Sequence, residues 1–69
     1  MIVWILYDPP RLAVNRRFAE WLIDAFRKRG ADARLVVAET IADIPPMERN
    51  SPDLVVMRAV HPEISRYLE

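Results

Sequence analysis

The chain has no cysteine, one histidine and one glycine. Without cysteine there is no disulfide framework and no thiolate metal site. The lone histidine, His61, cannot anchor a histidine-rich metal cluster. The lone glycine, Gly30, rules out glycine-rich phosphate loops. A dinucleotide fingerprint needs several glycines after its first strand, and here Asp8-Pro9-Pro10-Arg11 follows instead. An excess of charge of either sign is also missing. Ten basic and ten acidic residues give a formal net charge of zero, which argues against nucleic acid as a partner, since that affinity needs a basic face. No apolar run is long enough to span a bilayer. Ile2 to Leu6 is too short, and it lacks the charged front of a signal peptide. The expectation is a cytoplasmic protein with no membrane or nucleic-acid partner.

What remains is small and mostly apolar. At 69 residues, a chain buries only about 60% of its unfolded surface, which makes a lone domain marginal. Met1 to Tyr7 (MIVWILY) is a continuous apolar run without alternation. That suits the central strand of a parallel sheet covered on both faces. Asp8-Pro9-Pro10 stops it, because prolines cannot continue a ladder. A helix is expected over 13–29. At about 100° per residue, Val14, Phe18, Ala19, Trp21, Leu22, Ile23, Ala25 and Phe26 share one side. That arc spans about 200°, wide enough to pack on a sheet and to reach a further neighbour near Trp21. Asn15 is expected to cap or solvate the helix start. Asp24 and Lys28, four apart, can pair. Arg27-Lys28-Arg29 meets the negative end of the helix dipole, and Gly30 supplies the left-handed C-terminal cap.

Ala33 to Ala38 reads as a second strand. Glu39 to Asn50 reads as a loop with at most one helical turn, capped by Thr40, with Ile41 and Ile44 tucked inward. Pro45-Pro46 excludes a long helix there. Leu54 to Met57 reads as a third strand, and Pro62 opens a helix that carries Ile64, Tyr67 and Leu68 on one face. The order strand, helix, strand, loop, strand, helix predicts an α/β fold: a small Rossmann-like parallel sheet of βαβ-loop-βα type. The first strand belongs in the middle. The last helix reaches Glu69 with no capping glycine or asparagine. Residues 1–69 are therefore expected to be one domain, the N-terminal part of a longer protein, truncated after the last helix.

In such a sheet the ligand crevice lies at the carboxyl ends of the strands, where the strand order reverses. That selects Tyr7 to Pro10 and Arg58 to His61. Arg58 has two readings, a clamp for a carboxylate or phosphate or a strand-end arginine in a surface ion pair. Asp8 is either a turn-making acid before proline or a catalytic or metal-binding acid. A phosphate-accepting receiver domain would also place an acid there, but it would want paired acids and later strands. His61 is a solvated turn residue or a general base, and no acid is placed in sequence to orient it. Tyr7 and Trp4 are core or rim packing. No paired carboxylates, nucleophile triad or metal-ligand cluster can be argued.

The residues also carry a family resemblance. Leu6-Tyr7-Asp8 and the Asn15-Arg16-Arg17-Phe18 helix start resemble the amino-terminal domain of ATP-grasp proteins, near the ribosomal-protein-S6 glutamate ligase type. The tail carries more. Pro52-Asp-Leu-Val-Val-Met-Arg58 and Pro62-Glu-Ile-Ser-Arg-Tyr-Leu-Glu69 are similar to that family's strand ending in Asn-Arg and the helix behind it. The resemblance implies a pre-ATP-grasp domain, the substrate-side part of a carboxylate–amine (or thiol) ligase that is not catalytic alone. It implies ATP and Mg for the complete protein, held by later lobes of the same chain, and none in this segment. Arg58 matches the family's strand-end arginine and becomes the substrate-binding candidate, with Asp8 and His61 beside it. Met57 departs from the usual Asn, and Val60 from a common polar residue. The alternative is a free-standing α/β interaction module that pairs with a second copy or another partner through an exposed strand edge.

Overall fold

The computed structural model describes residues 1–46, 51–58 and 62–68. Its elements are β1 (Ile2–Tyr7), α1 (Pro9–Lys28), β2 (Asp32–Val37), a 3-10 turn (Ile41–Asp43), β3 (Leu54–Arg58) and α2 (Pro62–Leu68). The three strands form one parallel sheet in the order β2-β1-β3. This is the expected α/β sheet with the first strand in the middle, consistent with a Rossmann-like arrangement.

Both faces of β1 are buried, which is why its sequence does not alternate. Val3, Ile5 and Tyr7 pack with Leu12, Ala19, Ile23 and Ala33 beneath α1. Trp4 and Leu6 pack on the other face with Val36, Ala38, Ile44 and Ile64. Val56 of β3 joins the α1 side, and Val55 and Met57 join the α2 side. Alternate residues of β3 therefore serve opposite layers. Ile64 and Leu68 fix α2 to the sheet, while Tyr67 is exposed.

Three expectations are corrected. First, α1 begins at Pro9, four residues before Ala13, so Asp8-Pro9-Pro10 launches the helix as well as ending the strand. Proline is tolerated in a first turn because its missing N–H would have no intrahelical partner there. Second, Asn15 is not the cap. It lies inside α1 at φ −114° and ψ 19°, and its side-chain amide donates to the Arg11 carbonyl at 3.0 Å. Third, Ile41 stays exposed while Ile44 is buried.

The end of α1 follows the glycine logic. Gly30 has φ +87°. Its N–H donates to the Arg27 carbonyl at 3.0 Å, and the Ala31 N–H donates to the Phe26 carbonyl at 3.1 Å. This pair of bonds is the Schellman cap, and it satisfies carbonyls the helix leaves over. The chain thus turns back at once into β2. Asp24 and Lys28 pair at 3.1 Å on the exposed face. Arg27 goes further than a dipole contact: its Nε and Nη2 both donate to the Ala33 carbonyl, at 3.1 and 2.9 Å. Among the described residues, no helix is long and apolar enough to cross a membrane.

Candidate functional site

The carboxyl ends of β1 and β3 meet where the strand order reverses. Tyr7 pairs with Arg58 in the register, and the Ala38 N–H donates to the Tyr7 carbonyl at 3.0 Å on the other side. Asp8 follows immediately and is buried. One of its carboxylate oxygens accepts the Arg11 N–H at 2.9 Å, and the other pairs with the Arg11 guanidinium. Its carbonyl accepts the Leu12 N–H at 3.0 Å. Asp8 is therefore the N-cap of α1.

This arrangement decides what the helix start can bind. Phosphate recognition at a helix N-terminus uses free backbone N–H groups. Pro9 and Pro10 have none, and those of Arg11 and Leu12 are taken by Asp8. A phosphate would also meet the Asp8 carboxylate. The start of α1 is therefore closed to a nucleotide phosphate. Among the described residues, no three acids, histidines or cysteines come together to hold a metal.

Arg58 leaves the sheet on the α1 side. Its guanidinium lies over the Phe18 ring, 5.4 Å from the centroid, a contact worth about 0.5–1 kcal/mol at an exposed site. Phe18 in turn stacks on Trp21 at 5.8 Å and 28°. No ion pair to Arg58 forms among the described residues. Asp8 is committed to Arg11, so the structure brings Arg58 and Asp8 to the same end of the sheet without pairing them. His61 and Val60 lie outside the described residues.

A second surface runs along β3. The Asp53 N–H donates to the Ile2 carbonyl at 2.8 Å. Backbone direction alternates along a parallel strand, so Val55 and Met57 face β1, and Leu54, Val56 and Arg58 face outward. Among the described residues, no backbone hydrogen bond reaches that outward row. Leu54 and Phe18 are exposed on that side; Trp21, exposed by 63%, stacks on Phe18 but borders a groove with Arg27 and Leu35 toward β2. The opposite edge, β2, differs. Arg27 covers its Ala33 carbonyl, while the other outward residues, Leu35 and Val37, are exposed; Asp32 and Arg34 pair on the strand at 2.7 Å. That pairing holds the Asp32 carboxyl below its ordinary range. The backbone N–H groups of Glu39 and Thr40 do the same for Asp43, just beyond β2.

Two features had no sequence signal. The Tyr7 hydroxyl is buried with no hydrogen-bond partner among the described residues. The Arg27 contact depends on how tightly the chain turns back at Gly30. Comparison with family models, curated proteins and solved structures found no match.

The cap can be tested by substitution. Asp8→Ala is expected to destabilise the chain by about 1–2 kcal/mol, and Asp8→Asn, which keeps an acceptor, by less. Urea unfolding followed by circular dichroism measures both. Equal losses for the two variants would contradict the capping role.

Proposed function

We propose that the chain is a docking unit that extends its parallel sheet into a partner through β3, working by binding rather than by catalysis. The observation that carries this reading is the outward row of Leu54, Val56 and Arg58, unbonded among the described residues, whereas on β2 Arg27 already takes the Ala33 carbonyl. An edge strand offers a ladder of donors and acceptors to another strand, and proteins usually blunt such edges with charge, proline or a covering element. The central residues of β3, Val55 to Met57, carry no charge and no proline. Phe18 adds apolar surface on the side where Arg58 projects.

A second reading is the substrate-side, pre-ATP-grasp domain of a carboxylate–amine or carboxylate–thiol ligase. The tail motifs from Pro52 to Glu69 support it, as does an exposed, ring-braced Arg58 at the point where the strand order reverses. Arg58 would then offer its guanidinium to a substrate carboxylate, and ATP and Mg would belong to further lobes of the same polypeptide. Both readings place the protein in the cytoplasm, in keeping with its lack of cysteine.

Amide hydrogen exchange at high dilution tests the docking reading. The Leu54, Val56 and Arg58 amides are expected to exchange rapidly while those of Val55 and Met57 are protected. Protection of the outward amides in the dilute monomer would sink it. The second reading predicts that titration with glutamate shifts the Arg58 and Phe18 resonances, and that Arg58→Ala abolishes the response while costing no more than about 1 kcal/mol of stability. A wild-type chain that shows no saturable shift would return Arg58 to a purely structural role.

A further inference from the structure

We propose that the outward face of α1 rests on an anionic lipid surface, with Phe18 and Trp21 entering the headgroup layer and the arginines around them meeting lipid phosphates and carboxylates. The inference goes beyond the docking reading and makes no use of β3. The formal net charge of zero conceals a separation. Six of the ten basic residues but two of the ten acidic ones fall within 11–29, the stretch that holds most of α1 and its C-cap. Arg11 is paired with Asp8 and Lys28 with Asp24, and Arg27 holds the Ala33 carbonyl. Arg16, Arg17 and Arg29 are exposed and form no ion pair among the described residues. Their charge is left for an outside anion.

The same helix shows apolar side chains to solvent. Its buried residues are Leu12, Ala19 and Ile23. Val14, Phe18 and Trp21 stand four and three residues apart, which sets them along another side of the helix, and all three are exposed, Val14 by 83%. Cations surround them. Hollows lie on both sides of Trp21: Arg17 and Arg27 are in the wall of one, Lys28 and Arg29 in the wall of the other. The Arg58 guanidinium lies over Phe18. Aromatic and aliphatic side chains set among arginine and lysine are what holds an interfacial helix on an anionic membrane. α1 lies on that surface and does not cross it, being too short of apolar residues to span. Nucleic acid fits this face less well. It needs aromatic faces open to the bases, whereas Phe18 already carries Arg58 and stacks on Trp21, and Glu20 shares the Arg17 hollow.

Fluorescence titration of the full chain with vesicles of equal parts phosphatidylserine and phosphatidylcholine tests the proposal. Trp4 is buried on the other face of the sheet, so a change in emission reports Trp21. A saturable blue shift is expected at low salt, weakened at about 1 M salt and absent with phosphatidylcholine alone. Vesicle co-sedimentation gives the affinities of variants, with circular dichroism checking that each is folded. Arg17→Gln is expected to bind about five-fold more weakly, and Trp21→Ala at least about ten-fold. Both positions are exposed, so the changes spare the core. No shift with the anionic vesicles, an equal response to phosphatidylcholine, or binding unchanged in both variants overturns the proposal. A thymidine oligonucleotide that shifts Trp21 at lower concentration than the vesicles makes nucleic acid the ligand and overturns it equally. Should a variant fail to fold, the dependence of wild type on vesicle composition decides. None of these outcomes moves the amide exchange expected along β3, so the docking reading stands or falls separately.

Discussion

Everything in this fold hangs on the burial of β1. Val3, Ile5 and Tyr7 are closed off under α1, and Trp4 and Leu6 under α2 and the loop before β3. Burying a large apolar side chain contributes about 1.5–3 kcal/mol, so these five residues dominate a chain too short to hold a second core. The backbone of β1 is used on both sides as well. Its odd-numbered residues bond toward β2 and its even-numbered ones toward β3. Neither outer strand touches the other, so each is in the sheet only because β1 is.

From that central strand the two edges diverge. Toward β2 the chain returns through a tight glycine cap, and the return brings Arg27 onto the Ala33 carbonyl. Toward β3 the connection is long and leaves the far side of the strand bare among the described residues. The same divergence appears in the charges. Asp8 closes the helix start to anions by taking its donors, while Arg58 rests on Phe18 with no ion pair among the described residues. The start of α1, where such a sheet would meet a phosphate, is thus closed by Asp8 and Arg11, while Leu54 and Arg58 stay exposed on β3 and Leu35 and Val37 on β2.

Much of this was legible in the residues. The unbroken apolar run of β1, the βαβ spacing and Gly30 predict the parallel order and the cap directly, because each depends on near neighbours in sequence. The helix start was not legible. Asp-Pro-Pro satisfies both a turn and a first helical turn, and only the Arg11 and Leu12 bonds to Asp8 decide between them. The wide apolar arc on α1 leaves Val14, Phe18 and Trp21 exposed, and its width alone does not say which flank stays open. That depends on where the sheet ends beneath the helix. Arg58 over Phe18 joins residues forty apart in sequence and has no local signature. Its position at a strand end was readable; its aromatic brace was not.

The central claim is that β1 is bonded in parallel on both sides. Scalar couplings across hydrogen bonds in an isotopically labelled chain report it directly. The account predicts a coupling from the Ala38 amide to the Tyr7 carbonyl on one side, and from the Asp53 amide to the Ile2 carbonyl on the other. Loss of the second coupling, with Tyr7 found beside Leu54 instead of Arg58, would mean an antiparallel β3 and would contradict the account.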